Sequence, residues 1–544
     1  MAKNLRVIPL GGLGEIGKNM TVFEYGRNMI IVDCGVMFPE SDLYGIDLVL
    51  PQFDYVVQNQ DILRGIVLTH GHQDHIGGLA YLLQRVNAPV YGTALTIGMV
   101  ERQLEEAGIR GVPLEVVDDT MTLHLGPFRV SPYAVAHSIP ASVGLVIDTP
   151  AGAVVHTGDY KLDETPSGGR TTDFNRLREL TPDGVLALLG DSTNADRPGR
   201  TPTEQIVADT LDRLFYESKG QRIIIATFSS VLARLQEIML LADKHKRKVA
   251  LTGRSLLQNV ELARDLGYLK VPKGLLVDIK NNSVPDHQLV ILSTGSQGEP
   301  RSALNRMALG QHRQVQVHAG DTIIISGGTI PGNEEDVARM LNNLFARGAN
   351  VIYGSLATVH VSGHGSREDM RMMLQKVQPK YLIPVHGEIR HQHLHARLAQ
   401  ENGLLMAENV FILQNGSVWA SDGEKAWLEQ SIPAEDVYVD GSLIGEIGDM
   451  VVRDRERLAQ DGFIVVYVPV DKRQKLSGEP RLVSRGFVRM DASGDLMSAA
   501  QKELKRELQK NGRNPGDIAR DTLESFFYHK TQSRPIILPT IVRV

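Results

Sequence analysis

The chain has 544 residues, 42% hydrophobic and 22% charged, which is too long for one hydrophobic core and ordinary for a folded soluble protein. Its net charge of −6 is uneven: residues 451–544 carry 18 Lys and Arg against 12 Asp and Glu, so the acidic excess lies upstream, and the basic end could track a phosphate backbone. No run of 18 apolar residues and no apolar secretory core exist, which excludes a membrane span and predicts a cytoplasmic protein; the single Cys34, in Ile-Val-Asp-Cys-Gly, excludes an internal disulfide and reads as a buried structural thiol.

In chain order, apolar runs at 5–10, 29–32, 66–68, 143–147, 153–157 and 184–189 predict strands, and 78–85 and 94–107 predict helices. The glycines at 11–17 have the wrong spacing for a dinucleotide loop. Residues 69–78 read Thr-His-Gly-His-Gln-Asp-His-Ile-Gly-Gly, which places His70, His72, Asp74 and His75 within six positions. Imidazole and carboxylate are ligands for zinc-like cations, and four of them this close would repel or desolvate one another without a cation. Gly71, Gly77 and Gly78 are expected to let the backbone turn tightly. Further strand-end candidates are His137 in Ala-His-Ser, His156 and Asp159 in His-Thr-Gly-Asp, and His386 in Val-His-Gly-Glu.

The pattern changes near residue 196. Thr201-Pro202-Thr203-Glu204 reads as a capped helix start, with Val207, Leu211, Leu214 and Phe215 on one helical face. Strands are expected at 222–228, 248–252, 289–293 and 322–326, with a helix at 231–244, so a βαβ domain is inserted at 196–350. Several strands end in small polar residues that suit phosphate, Ser229-Ser230 among them. Residues 351–430 return to the earlier style, with strands at 351–353, 381–384 and 410–413, and complete the domain begun at 1–195. A linker at 431–450 leads to a small α/β domain at 451–544, with strands at 463–468 and 485–490 and helices at 497–509 and 516–528. In His391-Gln392-His393-Leu394-His395, His391 and His395 share a helix face, but no acidic partner is nearby in sequence, so no third metal is assigned.

The motifs THGHQDH, AHS, TGD and VHGE, in that order, resemble the metallo-β-lactamase fold. The resemblance implies an αββα sandwich with two divalent metals: His70, His72 and His137 on one, Asp74, His75 and His386 on the other, and Asp159 bridging. The insertion between Asp159 and His386 resembles that of the β-CASP nucleases, whose three motifs are matched by Asp191 in Gly-Asp-Ser-Thr, His364 in Val-Ser-Gly-His and His386 in Val-His-Gly. Within that group the opening Pro-Leu-Gly-Gly-Leu-Gly-Glu-Ile-Gly-Lys-Asn of residues 9–19, Asp-Ser-Thr-Asn-Ala of 191–195 and Ser-Gly-His-Gly of 362–365 resemble the bacterial ribonuclease J family. One departure is Gln73, where glutamate is expected in many members.

The resemblance implies hydrolysis of RNA phosphodiesters, as a 5′-to-3′ exonuclease favouring 5′-monophosphate ends with endonuclease cutting as well, in RNA maturation and mRNA decay. Two cations can activate water and bind both attacking and leaving oxygens. Asp74 would orient the attacking group, and His364, held by Asp191, would serve the leaving 3′-oxygen. By similarity, Ser229, Ser230 and Val231, with His360, Val361, Ser362, Gly363 and His364, would form the phosphate-binding wall of an RNA channel. Zinc is the first expectation, and the ligand types equally permit manganese. A homodimer or higher oligomer through the C-terminal domain and RNA-degradation partners are implied. A small-molecule hydrolase of glyoxalase or lactonase type, a DNA-directed nuclease and a non-catalytic RNA-binding protein are the alternatives; the long insertion argues against the first and the full ligand set against the last.

Overall fold

The computed structural model describes residues 4–39, 43–166, 170–280, 284–330, 332–488, 494–510 and 514–544. Two compact units emerge: residues 1–38 with 48–437, and residues 39–47 with 438–544.

In the larger unit two sheets stack. The first runs, in spatial order, Ala426–Glu429, Val418–Ser421, Leu5–Gly11, Met20–Tyr25, Met29–Val32, Leu63–Val67, Val90–Gly92 and Leu114–Val116. The second runs Tyr381–Val385, Ala187–Asp191, Gly152–His156, Val143–Thr149, Phe128–Ala134 and Leu123–Leu125. Val7, Phe23, Val32 and Val67 share one buried cluster with Val130, Leu145, Val154 and Leu189. Their neighbours Val146, Val155 and Leu188 point the other way, onto Met373, Leu374 and Val377 of the helix Arg367–Val377. The strand period of two thus feeds two cores, and strands buried on both faces read as continuous apolar runs. The helix Ala94–Glu106 lies along the first sheet's far edge. This is the expected αββα sandwich. Two details differ: the helix expected at 78–85 is the single turn Leu79–Leu82, and 410–413 forms only an isolated bridge between Val410 and Leu382. The edge of the first sheet is formed by the hairpin Val418–Ser421 and Ala426–Glu429.

The insertion carries a parallel sheet in the order Leu276–Val277, Lys248–Thr252, Leu289–Ser293, Ile223–Thr227, Thr322–Ser326 and Asn350–Ile352. Ile223 and Ile225 pack with Phe215, Leu235 and Ile238, while Ile224 and Ala226 pack with Leu304, Met307 and Met340 on the opposite face. The strand expected at 351–353 is there, but it pairs with Thr322–Ser326 and completes the inserted sheet instead of reopening the sandwich. The helix start expected at 201–204 is also displaced. The helix is Gln205–Glu217 and has no side-chain cap. Thr201 Oγ1 instead donates to the His364 carbonyl at 2.8 Å, and Glu204 meets the buried Arg234 at 2.7 Å. A buried guanidinium needs such a partner, so the supposed cap ties the insertion to the loop at 362–366.

In the smaller unit, Phe463–Val470 lies between Arg481–Arg485 and Ile536–Arg543. Ile464, Val466, Val468 and Val470 alternate into a core with Leu504, Leu523 and Phe527 from the helices Gly494–Lys510 and Pro515–Thr531. The latter starts with Asn514 accepting from Gly516 N–H and proline in the first turn. The expected linker at 431–450 is structured here: Val439 and Asp440 pair with Ile444 and Leu443, and a helix runs Asp449–Asp461. The strand expected at 485–490 ends where it was to begin, at Arg485, and 489–490 lie outside the described residues. Among the described residues no helix is long and apolar enough to cross a membrane.

Candidate metal centre

Every strand-end motif of the sandwich reaches one place. The loop after Leu63–Val67 brings His70 and His72, and the short helix Gln73–Ile76 presents Asp74 and His75. The second sheet contributes Asp191 as the last residue of one strand and His137, Asp159 and His386 just beyond others, because neighbouring strands end together. The ligand atoms of His70, His72, His137 and Asp159 lie within 4.8 Å of one another, as do those of Asp74, His75, Asp159 and His386. Asp159 belongs to both groups.

Three imidazole nitrogens converge in the first group: His70 Nε2 is 3.0 Å from His72 Nδ1, which is 3.2 Å from His137 Nε2. Donors bound tetrahedrally at about 2.0 Å from one zinc are about 3.3 Å apart, so the spacing fits a cation. In the second group His75 Nε2 is 3.2 Å from Asp159, and His386 Nε2 is 3.2 Å from Asp74. Outer partners set the tautomers. His137 Nδ1 donates to the Gly363 carbonyl at 2.8 Å, and His75 Nδ1 donates to Asp33 at 2.8 Å, so both Nε2 lone pairs face inward. His386 Nδ1 meets Thr193 Oγ1 at 2.6 Å, and that hydroxyl can pass its own hydrogen to Asp191 at 2.7 Å.

The charges agree with this arrangement. Burial lowers the pKa of His70, His72 and His137, that of His72 to about 4, which leaves neutral ligands. Burial acts the same way on His75 and His386, but Asp159 leads the carboxylates that outweigh it, and His386 rises to about 10. Burial would raise Asp74 and Asp159, yet the surrounding histidines hold both carboxyls below their usual range. The backbone is strained here too: His386 at φ 51° and Asp33 at φ 61° are left-handed without being glycine. Gly363 must be glycine for another reason, since a Cβ there would come within 2.7 Å of the His137 ring.

Beside these groups, His364 Nδ1 lies 2.8 Å from Asp191 Oδ2, and its Nε2 is 3.9 Å from Asp159. Burial lowers the His364 pKa, but Asp191 and then Asp159 lift it above the usual value.

The description "Ribonuclease J, beta-CASP domain" fits residues 220–344, and "Ribonuclease J C-terminal domain" fits 450–544. "Metallo-beta-lactamase superfamily" fits 13–211, and "Zn-dependent metallo-hydrolase RNA specificity domain" fits 350–413. Ribonuclease J 1 of Streptococcus pyogenes is 41% identical over 98% of this chain and 97% of its own. Ribonuclease J2 of Bacillus subtilis is 38% identical over 100% and 99%, and ribonuclease J of Thermus thermophilus 38% over 99% and 95%. The chain belongs to the ribonuclease J family. A solved structure of a protein of unknown function from Enterococcus faecalis V583 shares the fold at TM-score 0.52 and 14% identity, over 77% of this chain and 100% of that one.

The remaining sequence candidates take up places around this ribonuclease J site. Gly71, Gly77 and Gly78 are not left-handed; they permit close packing, and a Cβ on Gly71 would meet Met99 Sδ at 2.5 Å. Val231 and Val361 are buried in the apolar core, so only their backbone could meet a ligand. Ser229 is engaged by Asn259, and His360 Nδ1 accepts from Arg234 at 2.8 Å. Ser362 Oγ accepts from Asn194 at 2.8 Å and from the His364 N–H at 3.1 Å, which leaves its hydrogen available. Gln73 is exposed and opens the short helix that carries Asp74 and His75. His391 caps its own helix and His395 meets Ser192 at 3.0 Å, so both are structural. Cys34 is buried and unpaired, and burial pushes its thiol pKa up.

Sequence reading missed the braces. Asp33 holds His75 and also accepts from Thr69 N–H and Oγ1, both at 2.8 Å. Thr193 joins His386 to Asp191, and Thr157 Oγ1 accepts from Asp191 N–H at 3.0 Å. The only local signal for Asp33 was an acidic residue beside Cys34 at a strand end.

Proposed function

We propose that this member of the ribonuclease J family hydrolyses RNA with two divalent cations, held by His70, His72 and His137 on one side and Asp74, His75 and His386 on the other, with Asp159 between. It works as a 5′-to-3′ exonuclease favouring 5′-monophosphate ends and also cuts internally, in RNA maturation and mRNA decay in the cytoplasm. The observation that carries this reading is the convergence of those side chains into two groups that share Asp159. When bound, such a pair polarises the attacking water and neutralises charge on the phosphate. Zinc suits the mixed imidazole and carboxylate set, and manganese is accepted by the same donors.

The chain's own groups do the rest. Asp74 Oδ2 orients the attacking water. Asp191 Oδ2 keeps the Nδ1 proton of His364, and His364 Nε2 delivers its proton to the departing 3′-oxygen. The Ser362 hydroxyl and the Gly363 amide donate to a non-bridging oxygen. Ser229, Ser230, His360 and the backbone at Val231 and Val361 line the path of the RNA phosphates. The insertion, residues 196–350, has no use in a small-molecule hydrolase but provides one wall of a channel. The C-terminal region, residues 451–544, joins two copies and offers a surface to RNA-degradation partners; its deletion leaves a monomer with poor processivity, and a truncated chain that stays dimeric and fully processive would refute that role.

The test is incubation with 5′-monophosphate and 5′-triphosphate RNA, and with DNA of the same sequence, with and without chelator. Chelator-sensitive release of mononucleotides from the monophosphate RNA is expected. Chelator-resistant cleavage, or equal cutting of DNA, would overturn the reading.

A further inference from the structure

The inserted sheet ends in a polar cavity of about 640 Å³, away from the histidine cluster. It lies beyond the carboxyl ends of Lys248–Thr252 and Leu289–Ser293, where open parallel sheets place ligands. Arg254, Arg301 and Arg306 line it, and none of the three makes an ion pair among the described residues. Arg306 donates to the Gln311 carbonyl at 3.4 Å. The acidic side chain on the wall, Glu106, already accepts from Gln258 at 2.8 Å. Three guanidiniums bordering one space give it a positive potential that favours an anion.

At the foot of the wall, Thr252 offers a hydrogen and not a lone pair. His312 Nδ1 accepts from the backbone N–H of Gln314 and Val315 at 3.3 and 3.0 Å, so the ring hydrogen sits on Nε2. That Nε2 is 3.1 Å from Thr252 Oγ1, which therefore accepts. Thr252 is 6% exposed, and its own hydroxyl hydrogen has no acceptor among the described residues. The helix Arg254–Asp265 begins at the same wall with no side-chain cap on its first amides. Its cap position must be Gly253, at φ +112°, where a Cβ would come within 2.6 Å of Thr294 Oγ1.

We propose that this cavity binds a phosphate group, as a second anion site apart from the metal centre. Convergent N–H and O–H donors with guanidiniums are the complement of phosphate oxygens. Asn259, one helical turn or about 6 Å along from Ser255, donates to Ser229 O at 3.1 Å and Oγ at 3.2 Å. An RNA strand passing Ser229 can therefore reach the cavity; this placement, unlike the cavity's chemistry, rests on the channel reading above. The phosphate comes either from the RNA backbone or from a free nucleotide such as the reaction releases.

The test compares the full-length protein with Arg254→Gln/Arg301→Gln, and with Ser255→Glu as a second variant that places a carboxylate at the wall. One arm measures binding of cleavage-resistant phosphorothioate RNA in a length series at several salt concentrations. Backbone binding predicts about tenfold weaker binding of long oligomers only, with a log affinity against log salt slope shallower by about 0.7 per lost phosphate contact. The other arm titrates inorganic phosphate and a nucleoside monophosphate by calorimetry; binding lost in the variants while RNA affinity holds assigns the site to free phosphate. Variants indistinguishable from the parent in both arms would overturn the proposal. Both arms read binding and need no cleavage, so failure of the metal mechanism would leave them interpretable.

Discussion

The sandwich and the inserted sheet both gather polar side chains at strand ends, with opposite sign. Around Asp159 the chain collects lone pairs, with His70, His72 and His137 nitrogens 3.0–3.2 Å apart in sequence of contact. Around Thr252 it collects hydrogens and the positive charge of Arg254, Arg301 and Arg306. The two also differ in bracing. His75, His137, His364 and His386 each have an outer partner within 2.9 Å. The arginines of the cavity are exposed or half-exposed, and among the described residues only Arg306 is held, by one long contact. Chemistry on a phosphorus atom demands fixed distances, and braces supply them. Holding a phosphate in place demands charge and tolerates movement, so long side chains suffice.

If that contrast is right, damage at the centre should stop chemistry and leave binding. Asp74→Ala or His75→Ala abolishes cleavage while RNA binding stays measurable by filter retention; full activity in either would remove the two-cation assignment. His364→Ala slows single-turnover cleavage by about 10²- to 10⁴-fold with affinity changed only a few-fold. An unchanged rate would strip His364 of its proton-transfer role. A brace should matter less than a ligand: Asp33→Asn weakens metal retention by about 10- to 100-fold against a competing chelator, and an unaltered affinity would show that Asp33 serves only the fold.

The smallest effect expected is on pH. The carboxylates around them raise the pKa values of His75 and His386 above the usual range, that of His386 to about 10, which favours their protonated forms. A cation must displace those protons, so metal affinity rises with pH and falls as the solution is acidified, with up to about two protons released per protein. Calorimetry in buffers of different ionisation enthalpy reads that release directly, and none would contradict the ligand assignment.

Much of the centre was legible because its ligands sit in short motifs or directly after apolar runs. His70, His72, Asp74 and His75 announce themselves by proximity, and His137, Asp159 and His386 follow strands whose ends the fold aligns. The inserted strands at 248–252, 289–293 and 322–326 were equally plain, because burial on both faces demands unbroken apolar runs. Sheet membership was not legible: the run at 350–352 has the same local pattern whether it edges one sheet or opens another. Thr201 and Glu204 misled for a related reason, since residues that cap a helix can equally bond to His364 and Arg234 across the fold.

By itself, then, the order of residues determined which donors converge and the family to which the chain belongs, since ligand chemistry is written in residue type and close spacing. Only the folded chain decided which ordinary residues brace those donors and which arginines share a cavity. Asp33 lies 42 positions from His75, Asp191 lies 173 from His364, and Arg254 follows a different strand from Arg301. Contacts of that range depend on sheet order and packing, and leave no mark on the residues next to them in sequence.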